Sequence, residues 1–541
     1  MHLTRSAVVA TALILAACSG SSGNSGPAPV TRQTVPPVAT DSPTDVFTPT
    51  GAGDENAGAV ETSDTTAVTD VTATEPSTTT APAADYSIVF EDLGGGVEGG
   101  WLTVPVDYDD PRGDSLKLWV TRRPSTSDDR VGVLFTNAGG PGVASSSVPL
   151  NAGAYFRDPL LEYFDIVSWD PRGTGVSGGS VDCIADDEYD RYFGSSDITP
   201  DDEAEREELV ELSSDFADGC VDSVGDTITH IGTNNSARDM DAIRQALGET
   251  QASYLGFSYG SELGAVWASL FPDTVRAAVL DGAAHPDSNG TEPAKQQQLG
   301  FESAFNTFLA ECSATPSCAF HNDGDAEGAY DRLMQDLDEN PIPGADGRPL
   351  VNQEIAAGGV IQAMYSDRRW PALERSLADA AAGDGAGLLA LYDSYNRRDP
   401  LDGSYGNLLE SFLAITCADE PERLTVEEAD ARAEELIGVA PRVFPSTTGT
   451  YTCDFFPPSA DPRAEITGVR AGPIVVIGTT GDPSTPLASS AAMADALEEG
   501  VLVTVEANRH LAYGQTNNCI DDVVHQYLIW LEPPAPDVTC T

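Results

Sequence analysis

The 541-residue chain reads as an α/β protein, a mostly parallel sheet with helices on both faces and an inserted helical cap. Two observations predict this class. Short apolar runs alternate with helix-patterned segments, an arrangement that favours parallel strands joined by crossover helices. The strand signal then lapses over about 287–410, where Ala- and Asp-rich helical sequence takes over, and it returns near residue 473.

In chain order, 101–106 and 116–121 read as an opening hairpin, and 131–136 and 164–169 as buried strands. Segment 236–248 has a serine start, helical apolar spacing and a glycine stop. It leads into a strand at 252–257, a tight turn and a helix over 261–271. A strand at 275–280 ends in Asp281-Gly282, and strands resume at 473–477 and 501–505. Segment 523–531 reads as a closing helix. No internal repeat is apparent.

The N-terminus reads as an address. His2 and Arg5 precede an apolar run, 7–17, too short to span a bilayer comfortably. The run ends in Leu15-Ala16-Ala17-Cys18, which resembles the lipobox of bacterial lipoproteins. That resemblance implies a signal peptide over 1–17 and lipidation at Cys18. The chain would then be exported and anchored to the outer face of the cell membrane, or secreted. Residues 18–85, rich in Thr, Ser, Pro and Asp, lack the apolar surface to offset ordering entropy and read as a disordered tether. Its r.m.s. reach is roughly 45 Å. The folded body then divides into a first core part, 86–286, the cap, 287–410, and a C-terminal core part, 411–541.

A net charge of −58 with only two lysines, Lys117 and Lys295, disfavours nucleic acid and anionic headgroups as partners. Of nine cysteines, eight remain once Cys18 is set aside. An even number in an exported chain points to disulfides, here between sequence neighbours. There is no C-x-x-C pair, so no metal site is expected, and no cofactor either.

Chemistry concentrates in 254–264, Tyr-Leu-Gly-Phe-Ser-Tyr-Gly-Ser-Glu-Leu-Gly. A strand, a Gly-x-Ser-x-Gly turn and a helix together lift a serine onto a strained elbow. Ser258 is therefore the candidate nucleophile. A second match, 175–179 around Ser177, runs into glycines with no helix behind it and reads as loop. A serine hydroxyl needs a base, and the base an orienting acid. Where such an elbow sits on a parallel sheet, the chain order is serine, acid, histidine. Elimination among six histidines leaves His510, in the loop after the 501–505 strand. Asp482, after the 473–477 strand, is the preferred acid, and Asp281 its rival. Oxyanion donors are expected from the N–H of Tyr259 and from the glycine loop 137–142, with Gly140 preferred and Gly139 as alternative.

Taken together, Asn137–Gly142, Asp170-Pro171-Arg172-Gly173-Thr174-Gly175, the 236–248 helix and Gly256–Gly264 resemble the secreted tripeptidyl aminopeptidases of actinobacteria. These are relatives of the proline iminopeptidases in the α/β-hydrolase superfamily. Phe271-Pro272-Asp273, Val279-Leu280-Asp281-Gly282, Thr416-Cys417-Ala418-Asp419 and Gly481-Asp482-Pro483-Ser484-Thr485-Pro486 extend the match. The resemblance implies the α/β-hydrolase fold and removal of di- or tripeptides from free N-termini by Ser258, Asp482 and His510. It also implies an acidic site for the substrate ammonium, here Asp419 or Glu420. The chain departs from the family at Arg509 and Leu511, where glycines usually flank the histidine, at Glu262 in place of an aromatic, and at Ala138 in place of proline. An esterase or lipase with the same triad, and a catalytically silent binding lipoprotein, are the competing readings.

Overall fold

Strand β6 (Ala252–Phe257), six buried residues in a row, lies at the middle of the sheet on which the molecule is built. The computed structural model describes residues 86–195, 200, 202–287, 291–443 and 451–541. The leader, Cys18 and the tether lie outside the described residues. The other strands are β1 (Glu91–Gly94), β2 (Val97–Pro105), β3 (Ser115–Arg123), β4 (Gly132–Asn137), β5 (Phe164–Trp169), β7 (Val275–Asp281), β8 (Ile474–Thr479), β9 (Gly500–Val505) and β10 (Val538–Cys540). They form one sheet in the order β1-β2-β3-β5-β4-β6-β7-β8-β9-β10. Strands β1, β2, β3 and β5 pair antiparallel in turn, and from β5 onward every pair is parallel.

The parallel strands follow from their continuous apolar runs, because a strand covered by helices on both faces has no polar side. Alternate residues serve the two faces. On β6, Ala252 and Tyr254 pack with Trp169 and Trp267, whereas Leu255 and Phe257 pack with Val475 and Ile477. The opening hairpin is β2 with β3, in which Trp101 faces Trp119 with ring centroids 4.9 Å apart.

The helix expected from 236 starts three residues earlier, as Thr233–Ala246. Its cap comes from far along the chain. The buried carboxylate of Asp419 accepts from the Thr233 N–H (2.7 Å) and the Thr233 hydroxyl (2.6 Å). An anion at a helix N-terminus satisfies orphan amides and the dipole together. A further helix, Glu203–Val224, is absent from the sequence reading although Asp202 and Glu205 form a capping box at its start.

Between β7 and β8, the helices Thr291–Ala314, Ala326–Glu339, Gln353–Met364, Trp370–Ala381 and Ala386–Tyr395 enclose an apolar cluster of their own around Phe305, Tyr330, Ile355 and Leu373. The helix Leu408–Asp419 instead packs on the sheet through Leu413, Ile415 and Cys417. Four disulfides join sequence neighbours: Cys183–Cys220, Cys312–Cys318, Cys417–Cys453 and Cys519–Cys540. The last ties the short β10 to the closing helix, Asn518–Trp530. Disulfides on this scale fit an oxidising compartment. Arg172, wholly buried, forks onto Asp239 (2.7 and 2.8 Å) and donates to the carbonyls of Pro105, Val106 and His230. A buried charge pair persists where its remaining donors are satisfied in this way.

Among the carboxyls that burial pushes above their ordinary range are Asp281, to about 6, and Asp419 and Glu410, to about 7. The folded state binds these protons more tightly than the unfolded chain does. Their contribution to stability is therefore complete below the ordinary carboxyl range and is lost as pH rises through about 6 to 7. We expect Tm, at fixed ionic strength, to be several degrees higher near about pH 5 than near about pH 7.5. A flat or opposite profile by scanning calorimetry would contradict this reading.

Candidate active site

Strand β6 delivers Ser258 to the C-terminal edge of the sheet, between the ends of β4 and β7. Asn137 pairs with Gly256, and Phe257 with Asp281. Ser258 sits at φ +55°, ψ −126°, a left-handed conformation that is strained for a residue with a Cβ. Its N–H donates to the Asp281 carbonyl at 2.9 Å, which holds the turn. Both flanking glycines are required sterically. A Cβ on Gly256 would lie 2.3 Å from the Gly260 carbonyl oxygen, and one on Gly260 would lie 2.6 Å from that of Asn137. The helix Tyr259–Leu270 begins at once, so the positive end of its dipole lies at the serine.

Ser177, in the second matching motif, is placed differently. It is buried, accepts from the Trp119 N–H (2.9 Å) and donates to the Asp170 carbonyl (2.6 Å). That hydroxyl braces a loop.

His510 lies in the loop after β9 and is buried. Its Nδ1 is 2.9 and 3.0 Å from the two carboxylate oxygens of Asp482. Asp482 is itself fixed by the N–H groups of Ser484 (2.9 Å) and Thr485 (2.8 Å) and by the Thr485 hydroxyl (3.0 Å). The same hydroxyl is 3.2 Å from His510 Nδ1. Thr485 enters the sequence reading only as part of the 481–486 match, with no role of its own. The available signal was an aspartate followed two and three residues on by N–H groups it can accept from, as in an Asx turn. The opposite nitrogen, His510 Nε2, is buried with no hydrogen-bond partner among the described residues. No hydrogen bond joins it to the Ser258 hydroxyl, a separation common in hydrolases without substrate.

Asp281 does not reach the histidine ring. Its carboxylate accepts from the N–H groups of Ala512 (3.1 Å) and Tyr513 (2.8 Å), and so anchors the loop that carries His510. Gly282, at φ +64°, gives that loop room, since a Cβ there would meet the His510 carbonyl oxygen at 2.8 Å. From the cap, Tyr365 stands edge-on to the His510 ring, 5.4 Å between centroids, and its carbonyl accepts the His510 N–H at 3.4 Å.

The glycine loop after β4 touches the serine: a Cβ on Gly139 would lie 2.9 Å from that of Ser258. The Gly139 N–H is taken by the Asn137 side chain (2.9 Å). The N–H groups of Gly140 and Tyr259 donate to no protein group among the described residues.

The remaining expected residues lie elsewhere. Asp419 is 3% exposed with both oxygens on Thr233, whose hydroxyl also meets the Tyr259 hydroxyl at 2.7 Å. The structure thus makes it the cap of the helix Thr233–Ala246 rather than an open ammonium site. Glu420 is half-buried at the end of the helix Leu408–Asp419, and burial pushes its carboxyl up to about 6. Two of the departures from the family pattern introduce charges that find partners. Glu262 faces Arg463 at 3.0 Å, both nearly buried, and Arg509 pairs with Asp367 of the cap at 3.2 Å. A cavity of about 410 Å³ adjoins Asp482 on the cap side, with Met364, Trp370 and Gly481 in its wall. Neither Ser258 nor His510 lines it, so it is not the cleft above the serine.

Residues 133–369 match the family model described as alpha/beta hydrolase fold, and residues 444–540 the model described as TAP-like protein. The chain is 35% identical to the serine protease Hip1 of Mycobacterium tuberculosis over 467 residues, which is 82% of this chain and 88% of that protein. It is 36% identical over 450 residues to carboxylesterase B of the same organism, covering 81% and 85% of the two chains. It is 28% identical over 458 residues to the tripeptidyl aminopeptidase of Streptomyces lividans, covering 82% and 83%. With the sheet, the elbow and these relatives in hand, the chain belongs to the TAP-like serine peptidases of the α/β-hydrolase family.

Proposed function

We propose that Ser258, His510 and Asp482 are a catalytic triad, and that the protein is an exported peptidase releasing di- or tripeptides from free N-termini. One observation carries the triad. His510 is held at Nδ1 by Asp482 while its Nε2 stays buried and unpartnered in a loop that Asp281 ties to the serine elbow.

Attack by the Ser258 oxygen on the scissile carbonyl passes its proton to His510 Nε2. Asp482 fixes the tautomer and stabilises the imidazolium that forms. The negative charge that develops on the carbonyl oxygen falls where the Gly140 and Tyr259 N–H groups can donate. His510 then protonates the departing amine, the released N-terminal fragment remains as an ester on Ser258, and water activated by the same histidine hydrolyses it. Thr485 and Asp281 are positioning residues, one for the Asp482–His510 pair and one for the loop. Of the two carboxylates expected to hold the substrate ammonium, Asp419 is committed to a helix cap, and Glu420 is retained.

The four disulfides and the Leu15-Ala16-Ala17-Cys18 sequence support export with a lipid anchor at Cys18. Peptides are then the partners outside the membrane, and nucleic acid is not. An esterase is the second reading, favoured by the 36% identity to carboxylesterase B. The same triad serves both reactions, and the substrate decides between them.

The deciding test is a peptide library, half of it N-acetylated, digested by the purified protein and read by mass spectrometry. We expect N-terminal di- or tripeptides to be lost from the free peptides only, and none with Ser258→Ala. Internal cuts in both halves would make the protein an endopeptidase, and ester turnover without peptide cuts an esterase. Glu420→Gln should raise KM for free peptides and leave turnover of an acetylated ester unchanged. Equal loss on both substrates would remove Glu420 from amine binding.

Asp281→Ala leaves the Ala512 and Tyr513 N–H groups buried without acceptors, at about 1–3 kcal/mol each. We expect Tm to fall and kcat to drop about tenfold or more on peptide and ester alike. An unchanged kcat would mean that the loop is held by other contacts. Thr485→Ala should lower kcat with little change in KM. Thr485→Ser, which keeps the hydroxyl, should restore most of it.

A further inference from the structure

The N–H of Tyr259, one of the two donors proposed for the oxyanion, does not turn independently of its neighbours. It belongs to the planar peptide that joins Ser258 to Tyr259, so it points opposite to the Ser258 carbonyl. Whatever holds that carbonyl aims the N–H. Ser258 itself sits at φ +55°, ψ −126°, and a strained backbone of this kind persists only where its surroundings over-determine it.

Ser261 supplies the first hold. Its N–H and its hydroxyl both donate to the Ser258 carbonyl, at 2.7 and 2.5 Å. The same hydroxyl oxygen accepts the Ala284 N–H at 2.9 Å, three residues past the end of β7. Ser261 is wholly buried, so these bonds form away from competing water.

The second hold acts on the Tyr259 side chain. The Tyr259 hydroxyl meets the Thr233 hydroxyl at 2.7 Å, and Thr233 donates to Asp419 Oδ2 at 2.6 Å. Because Thr233 gives its single hydroxyl proton to Asp419, its oxygen accepts from Tyr259. The donors therefore run one way, from Tyr259 through Thr233 to Asp419, and all three residues are buried. One turn along the nucleophile helix, Glu262 pairs with Arg463 at 3.0 Å, and the Arg463 N–H reaches the Asp419 carbonyl at 3.4 Å. Helix capping accounts for the bond from the Thr233 N–H to Asp419. It does not account for the hydroxyl chain that continues to Tyr259.

We infer that Ser261 and the Tyr259–Thr233–Asp419 chain position the oxyanion hole. Ser261 grips the 258–259 peptide by its carbonyl, and the chain grips it by the Tyr259 ring. Ser261, Thr233 and Asp419 are positioning residues that act through the Tyr259 N–H. This role rests on the reading of Tyr259 as an oxyanion donor, and it gives Asp419 a part in turnover rather than in binding the substrate ammonium.

The test is a peptidyl trifluoromethyl ketone, labelled with carbon-13 at the ketone, bound to the purified full-length protein. Ser258 Oγ adds to the ketone carbon, the hydroxyl proton passes to His510 Nε2, and the ketone oxygen becomes an oxyanion in the hole. The chemical shift of the labelled carbon reports the pH at which that oxygen ionises. For Tyr259→Phe, which keeps the N–H and loses only the hydroxyl, and for Thr233→Val and Ser261→Ala, we expect that pH to rise by about one unit. In step, kcat should fall about tenfold with KM within about twofold, on peptide and ester alike. Thr233→Ser, which keeps the hydroxyl, should restore most of both. An ionisation pH and a kcat that stay put in Tyr259→Phe would overturn the role of the chain, whether or not Thr233→Val folds. The same result in Ser261→Ala, even with a lower Tm, would overturn that of Ser261. A change in KM alone would overturn both. If the unaltered protein forms the adduct and turns over an ester but cuts no peptide, the peptidase reading alone fails, and the variants are compared on the ester. No adduct at Ser258 in the unaltered protein would remove the nucleophile and this role together.

Discussion

Asp281, at the end of β7, is the residue through which the two halves of the site are referenced to each other. Its carbonyl accepts the Ser258 N–H and holds the strained elbow. Its carboxylate accepts the Ala512 and Tyr513 N–H groups and holds the loop of His510. Ser258 and His510 are 252 positions apart in the chain (510 − 258). Through Asp281 the Ser258 backbone and the backbone two and three residues beyond His510 are each one hydrogen bond from the same residue. Keeping a carboxylate wholly buried there is unfavourable, and burial accordingly pushes its pKa up to about 6. The two backbone N–H groups that it accepts offset part of that penalty.

The parallel sheet was legible because each strand is a continuous apolar run. Strands β4 to β9 end within two residues of their sequence-based positions. The elbow was legible because its two glycines answer a steric demand that no other residue meets. The roles of the aspartates were less so. Asp482 and Asp281 both follow strands, and spacing alone left them rivals for one task. In the folded chain the first meets the histidine ring and the second its loop. Asp419 was read through family position, yet its partner Thr233 lies 186 residues upstream, beyond the reach of any local rule. Tyr365 carried no signal, because nothing in a helical cap segment marks which residue will face the histidine.

The cap therefore has a chemical part to play as well as a covering one. Arg509, which replaces a small residue of the family pattern, pairs with Asp367 and locks the cap to the histidine loop.

The most direct test of the account is the site of attachment of a fluorophosphonate, which reports a serine activated by its surroundings rather than a merely exposed one. We expect a single adduct, mapped by peptide mass spectrometry to Ser258, and its disappearance in Ser258→Ala and His510→Ala. An adduct on Ser177 or another serine, or labelling of Ser258 that is indifferent to His510, would contradict the assignment of the elbow and its histidine as one catalytic unit.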